Sequence, residues 1–402
     1  MKILMVNKFL YPNGGSETYI FEIGKQLQRD GHQVQYFGME HKGRIVGNRV
    51  ESYTSDMDFH TGKLTKILYP FKIIYSIEAR KKIRRVLDDF QPDAVHLNNF
   101  NFQLTPSILY EIRKYDRQNQ KRTRIIYTAH DSQLVCPNHL MRIPSTGENC
   151  DRCLTKGLGQ CIRHKCIHDS RVKSILGSME GWLYRGMKAY RMIDRIICPS
   201  EFMKSKLDSD PILREKTVTM HNFIIPPKRI QTDKKEYVLY FGRYSEEKGI
   251  RLLLNACKAL PEVAFVFAGS GPLEDEVNRV ENVENVGFQK GEKLGELISG
   301  ALFSVCPSVW YENCPFSVIE SIMYKTPVIG ADIGGIPELI REGKTGALFS
   351  AGDVDELTER IWDLWNDRKR VEEYTQNCNE KNFDTIEEYC EKLEQIYKDS
   401  EN

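Results

Sequence analysis

Short apolar runs alternate with helical stripes along nearly the whole chain. Residues 3–6, 34–37, 94–97, 124–128, 195–200 and 217–220 are runs of four to six residues with few or no charges. Runs of this length, bounded by polar or glycine-rich stretches, predict strands covered on both faces, as in a parallel sheet. Between the first two, Tyr19, Ile20, Ile23 and Leu27 recur at helical spacing. Ser16 suits the N-cap of that helix and Gly31 its stop. A second series begins at 237–243 and continues through 263–267, 283–288, 302–306 and 326–330, with helical stripes at 250–260 and 316–324. Pro315 suits a first helical position. Residues 225–236 are polar and proline-bearing, which marks a linker between the two series. Ile361, Trp362, Leu364 and Trp365, then Tyr389, Leu393 and Ile396, make the tail helical. The pattern predicts an α/β protein with two doubly wound units: a domain at 1–222, a linker at 223–236, a domain at 237–383 and a final helix at 384–402.

Composition narrows this reading little. At 402 residues, with 41% hydrophobic and 28% charged residues, the chain has the balance of a soluble globular protein of two domains. No apolar run approaches the ~18 residues of a membrane span. Residues 1–7 read as a first strand and not as a signal peptide, so a cytoplasmic location is expected. Charge is more informative, because the net +1 hides a split. Residues 1–221 hold 36 Lys and Arg against 23 Asp and Glu, an excess of +13; the remaining 181 residues hold 21 against 33, which is −12. A basic half could face an anionic surface or substrate, or be solvated without a partner. Residues 72–87 set Arg80, Lys81, Lys82, Arg84 and Arg85 among Ile73, Ile74, Ile77, Ile83, Val86 and Leu87. That segment is either a helix lying on an anionic membrane or one packed on the sheet with a solvated basic face.

The candidate chemistry sits where strands end. Residues 302–306 feed Pro307, a loop, and the helix that starts near Pro315, so the amides of Phe316, Ser317 and Val318 are candidate anion ligands. Glu312 precedes this helix start and Glu320 lies about a turn and a half inside it, eight residues apart. Carboxylates on either side of an anion site suit a sugar nucleotide; the plainer alternative is a capped helix with two surface glutamates. Arg243 and Lys248, at a strand end and near the next helix start, could hold a diphosphate, or belong to a mixed surface loop with Glu246 and Glu247. Gly14 and Gly15 form either a nucleotide-binding turn or a tight turn alone. His130 follows a strand end and would face a ligand cleft, or be a hydrogen-bonded structural histidine. Eleven cysteines in a cytosolic chain read as thiols or metal ligands. Cys136 is followed by Cys150, Cys153, Cys161 and Cys166 inside an insertion at about 136–168, and the Cys-x-x-Cys spacing could hold one structural zinc through Cys150, Cys153, Cys161 and Cys166, leave free thiols, or support disulfide or cluster chemistry.

Glu, seven residues, Glu, with Pro315 and Phe316 between, resembles the motif of retaining glycosyltransferases of family 4, and Gly242-Arg243-x(4)-Lys248-Gly249 resembles their donor-phosphate loop. The resemblance covers nearly the whole chain, most closely 237–349 and least over 40–90 and 136–175. It implies the GT-B fold, two Rossmann-like domains facing a cleft, the first on the acceptor side and the second on the donor side, with the last helix packed back on the first domain. It implies transfer of a hexose from a nucleoside-diphosphate sugar, such as a UDP-sugar, with retention, to a saccharide or lipid-linked acceptor in bacterial surface polysaccharide or glycolipid synthesis. It further implies no metal in catalysis, Arg243 and Lys248 on the diphosphate, Glu320 on ribose, Glu312 with the amides of Asn313 and Cys314 on the sugar, and His130 beside the reacting carbon. Gly14 and Gly15 would approach the diphosphate, and the backbone near Phe288 would hold the base. No nucleic-acid partner is implied; a peripheral position at the inner face of the cell membrane is. A non-catalytic sugar-nucleotide binding protein and a phosphorylase or epimerase of the same shape are the alternatives.

Overall fold

The computed structural model describes residues 1–55, 74–226, 233–378 and 383–399. Two compact units are present: Met1–Met220 together with the helix Ile386–Lys398, and His221–Thr385. Part of the expected linker, 227–232, lies outside the described residues, as do the first two residues of the 72–87 segment.

The first unit holds β1 (Lys2–Val6), β2 (Gln33–Phe37), β3 (Ala94–Leu97), β4 (Arg124–Thr128), β5 (Arg195–Cys198) and β6 (Thr217–Thr219) in one parallel sheet, ordered β2-β1-β3-β4-β5-β6. The apolar runs became these strands because both faces are covered. Leu4, Val6, Val95, Leu97, Ile125, Tyr127 and Ile196 point to one core cluster. The helix Ile77–Phe90 packs against that cluster through Ala79, Ile83, Val86, Leu87 and Phe90. Its basic face is partly paired, Arg80 with Glu111 at 2.7 Å and Arg84 with Asp88 at 2.8 Å, so the packed reading of this helix holds. The C-terminal helix carries Tyr389 and Tyr397 into the same unit, where Tyr389 meets Tyr19 at 2.8 Å and Tyr397 meets His96 at 2.6 Å.

The second unit holds β7 (Val238–Arg243), β8 (Phe265–Ser270), β9 (Val283–Asn285), β10 (Phe303–Cys306), β11 (Val328–Asp332) and β12 (Gly346–Ser350), also all parallel, ordered β12-β11-β10-β7-β8-β9. Val238 and Tyr240 face one core, Tyr237, Leu239 and Phe241 the other. In both units the strand order reverses direction beside the first strand, between β1 and β3 and between β7 and β10. Ligands of open α/β sheets gather at the carboxyl ends of strands at such a reversal. The strand expected to reach Phe288 stops at Asn285, because Gly287 turns the chain at φ +67°.

Candidate functional site

At the reversal of the second unit, β7 runs into residues 244–249 and β10 into residues 307–315. Two close backbone approaches lock these loops. Gly249 has φ +74°, and a Cβ there would lie 1.8 Å from the Pro307 carbonyl oxygen. Val309 N–H donates to the Glu247 carbonyl at 3.1 Å. Lys248 is thereby held over Glu312. Its Nζ lies 2.6 Å from Glu312 Oε1, which also accepts Ser308 Oγ at 2.6 Å and Trp310 Nε1 at 2.8 Å. Lys248 Nζ also sits 5.5 Å from the centre of the Trp310 ring. Three donors on one carboxylate oxygen fix it, and Oε2 takes no partner among the described residues.

Burial alone would raise the Glu312 carboxyl, but the Lys248 charge and the three hydrogen bonds outweigh it and hold it below the ordinary carboxylate range. Burial likewise opposes the Lys248 ammonium, and the Glu312 charge reverses this and raises it. The pair is therefore ionised. From the other side, Gly334 (φ +61°) would place a Cβ 2.2 Å from the Glu312 carbonyl oxygen, and Gly335 N–H donates to that oxygen at 2.8 Å.

The next helix, Phe316–Met323, has Pro315 as its N-cap and not as its first helical residue, so it starts one position later than the sequence predicts, and no side chain caps it. Val318 N–H is already engaged with the Pro315 carbonyl at 3.2 Å, so Phe316 and Ser317 supply the amides at the helix tip. Cys314 is buried against Asn222, whose N–H reaches Sγ at 3.3 Å and whose Nδ2 reaches the carbonyl at 2.8 Å. Asn313 stands between Cys314 and Glu312. Glu320 is half-buried, and burial pushes its carboxyl up to about 7. Arg243 ends β7 exposed, and its guanidinium takes no ion-pair partner among the described residues; the geometry joins Lys248, not Arg243, to Glu312. Phe288 is 70% exposed beyond β9, two strands from β7.

The reversal of the first unit gathers Gly14, Gly15 and His130 around β1, β3 and β4. Gly14, not Ser16, is the N-cap of the helix Gly15–Arg29. Ser16 instead accepts Asn99 Nδ2 at 2.9 Å and donates to Glu17 at 3.0 Å. Tyr19 from that helix meets His130 edge-on, with ring centres 4.8 Å apart. His130 Nε2 lies 2.8 Å from Asn98 Oδ1. Asn98 Nδ2 faces the Val6 and His96 carbonyls, so Oδ1 is the acceptor and His130 carries its proton on Nε2, leaving Nδ1 as an acceptor. Desolvation pushes the imidazole down to about 3, which keeps it neutral.

The cysteine-rich insertion folds as two short helices, Arg152–Lys156 and Gly159–Arg163. Cys153, Cys161 and Cys166 share one apolar cluster with Ile143 and Leu158, and Cys150 packs on it. Burial raises the Cys136 and Cys153 thiols, to about 12 and about 11. Among the described residues no three His, Cys, Asp or Glu groups lie where they could hold a metal ion. The insertion thus gathers Cys150, Cys153, Cys161 and Cys166 on one apolar cluster.

Sequence reasoning missed Ser308, Trp310, Gly334 and Asn98. Ser308, Trp310 and Glu312 alternate at period two, which in an extended loop puts them on one side; that spacing was the available signal.

Comparison with known proteins gives a consistent picture. The model of Glycosyltransferase Family 4 matches residues 13–226, and that of Glycosyl transferases group 1 matches residues 223–381. An uncharacterised 42.6 kDa protein in the cps region of Klebsiella pneumoniae is 24% identical over 364 residues, which is 85% of this chain and 88% of that protein. Sulfoquinovosyl transferase SQD2 of Arabidopsis thaliana is 32% identical over 145 residues, 35% of this chain and 28% of that protein. Alpha-D-kanosaminyltransferase of Streptomyces kanamyceticus is 27% identical over 162 residues, 38% of this chain and 42% of its own length. Against these last two the chain spans less than half of the relative. Among solved structures, sucrose-phosphate synthase from Thermosynechococcus elongatus superposes with a TM-score of 0.69 at 16% identity, covering 99% of this chain and 98% of that one. Anabaena Alr3699/HepE, solved in complex with UDP, gives 0.66 at 16% identity, covering 99% and 100%.

Proposed function

Because the chain belongs to Glycosyltransferase Family 4, we propose that it transfers a hexose from a nucleoside-diphosphate sugar, a UDP-sugar first among them, to a saccharide or lipid-linked acceptor, with retention and without a metal. The observation that carries this reading is the ionised Lys248–Glu312 pair at the strand reversal, 2.6 Å apart beside an uncapped helix tip. In this proposal a cation and exposed amides sit beside a carboxylate with one oxygen still free to accept a hydroxyl.

Lys248, Arg243 and the amides of Phe316 and Ser317 neutralise the leaving diphosphate. Glu312 Oε2 and the amides of Asn313 and Cys314 hold sugar hydroxyls, Glu320 takes the ribose, and the backbone near Phe288 takes the base. Gly14 and Gly15 admit the diphosphate to the first unit, and His130 Nδ1 accepts from the sugar. The bond from the anomeric carbon to the diphosphate oxygen breaks, the acceptor oxygen bonds to that carbon on the same face, and the acceptor proton passes to the departing phosphate. The setting is bacterial surface polysaccharide or glycolipid synthesis. No helix among the described residues is long and apolar enough to cross a membrane, and a peripheral position at the inner face of the cell membrane completes the reading.

The test is a hydrolysis screen with UDP-, GDP- and ADP-sugars, with and without chelator, followed by NMR of the anomeric product. One donor is cleaved, chelator changes nothing, and the configuration is kept. Release of sugar phosphate only when free phosphate is supplied would assign a phosphorylase. Donor binding without turnover across acceptors would assign a binding protein and overturn the proposal.

A further inference from the structure

The helix Arg171–Gly186, in the first unit, is built inside out. Its buried face holds Ser174, Gly177, Ser178, Glu180 and Tyr184. A Cβ on Gly177 would meet Ile167 at 2.4 Å, and one on Gly181 would meet Leu158 at 2.6 Å, so the helix beds closely on the cysteine-rich insertion. Ser178 Oγ donates to the Leu158 carbonyl at 3.0 Å, which fixes the seating.

The outward face is apolar. Val172, Ile175, Met179, Trp182 and Leu183 are 36–67% exposed, and Met187 just beyond the helix is 43% exposed. These six are nearly half of the thirteen large apolar side chains exposed among the described residues. At 100° per residue the five on the helix fall within one arc of about 100°. A patch this concentrated marks an interaction site rather than ordinary scattered exposure.

Charge selects the occupant. Residues 163–191 carry Arg163, Lys165, Arg171, Lys173, Arg185, Lys188 and Arg191. All but half-buried Arg185 are exposed, and none forms an ion pair among the described residues. The acidic residues of this stretch are Asp169 and Glu180, and Glu180 is buried at 4% exposure. An apolar stripe with Trp and Leu, rimmed by cations, matches an anionic bilayer surface: apolar side chains enter the acyl boundary while Lys and Arg meet phosphate headgroups.

We propose that the Arg171–Gly186 helix is a docking surface for an anionic lipid bilayer, with Met179, Trp182 and Leu183 inserted and Lys173 and Lys188 on the headgroups. The cysteine-rich insertion is the support that holds this face outward. The proposal rests on the peripheral membrane position in the proposed function and deepens it by naming the surface, and it stands apart from the donor chemistry.

The full chain is sedimented with phosphatidylcholine vesicles, with and without phosphatidylglycerol. The wild type binds the anionic vesicles and is released by salt. The triple variant Met179→Ser, Trp182→Ser, Leu183→Ser loses about tenfold or more of that affinity. The pair Lys173→Glu, Lys188→Glu loses the preference for phosphatidylglycerol. Because every substituted side chain is exposed, unchanged melting temperatures show that the variants are folded. Absence of wild-type binding, or a triple variant that binds as the wild type does, overturns the proposal. So does light scattering that shows a dimer of this chain dissolved by the triple substitution, which would make the face a protein interface. None of these readouts needs turnover, so they fail or succeed independently of the transferase reading.

Discussion

Replacing Lys248 by Ala tests the second-unit site through stability as well as activity. Glu312 would keep its charge, its burial, and the Ser308 and Trp310 donors, but lose its counter-ion. Breaking a buried ion pair by removing one partner costs roughly 3–5 kcal/mol. Here the Lys248 side chain is 31% accessible and Glu312 is 9% accessible, so water screens part of the interaction. The two remaining donors each retain a charge-assisted hydrogen bond. The expected loss is therefore about 2–3 kcal/mol, or roughly 5–10 °C in the melting temperature of the unit that holds the pair.

The double variant Lys248→Ala, Glu312→Gln removes the stranded charge. It is expected to recover roughly half of that loss, since Gln Oε1 can still accept from Ser308 and Trp310. Activity should not return, because both the cation and the carboxylate are gone. The pH dependence has a definite sign. In the wild type the Glu312 carboxyl is depressed, so its contribution is present above the ordinary value of 4.5 and is lost as pH falls through the folded value. In Lys248→Ala burial dominates and the carboxyl rises, so the variant is penalised most at neutral pH and approaches the wild type as acid protonates Glu312. Denaturant titrations at neutral and mildly acidic pH measure this directly. A Lys248→Ala protein as stable as the wild type, or a double variant that loses the sum of its single variants, would refute the ion-pair reasoning.

Two further predictions concern the same loops. Gly334→Ala forces a left-handed backbone onto a residue with a Cβ and drives that atom against the Glu312 carbonyl; kcat/KM should fall about a hundredfold in steady-state assays while the protein stays folded. Glu320, raised to about 7 by burial, is half neutral near that pH. If its carboxylate accepts hydroxyls from the donor, donor KM should fall as pH rises through about 7 and should be flat with pH in Glu320→Gln; a matching pH profile in the two proteins would count against that role.

What could be read in the sequence, and what could not, follows from how each element presents itself to solvent. The strands were legible because a parallel strand covered on both faces cannot carry exposed charge, so it appears as a continuous apolar run. Glu312 and Lys248 were legible as types at strand ends. Their pairing was not, because it depends on β7 and β10 becoming neighbours, which no local spacing records. Ser308 and Trp310 were signalled only by their period-two spacing to Glu312 in the same loop. The cysteine spacing singled out Cys150, Cys153, Cys161 and Cys166 together, and all four join one apolar cluster. Ser16 was a good N-cap by type, yet Gly14 took the place because Ser16 Oγ is committed to Asn99 and Glu17. The Arg171–Gly186 helix escaped because its pattern is inverted: small and polar residues lie inside, and the apolar face that usually announces a core lies outside.

The two strand reversals also differ in a way that constrains any mechanism. In the first unit the strand ends present His130, whose imidazole desolvation holds neutral, with Nε2–H committed to Asn98 and only Nδ1 open. Such a group can accept a hydrogen bond from a hydroxyl, but near neutral pH it cannot act as a cation or as a strong base. In the second unit the strand ends present an ammonium and a carboxylate that stay ionised because each reverses the burial penalty on the other. In the proposed transfer, positive charge for the leaving diphosphate would come from Lys248 and Arg243. Lys248 Nζ spends one of its three N–H donors on Glu312 Oε1 and keeps two to offer an anion. The Glu312 carboxylate, held through Oε1 by Lys248, Ser308 and Trp310, keeps Oε2 for neutral hydroxyls. Each charge of the pair offsets the burial penalty on the other, which keeps both ionised inside the fold and lets one loop junction offer a cation and a carboxylate side by side.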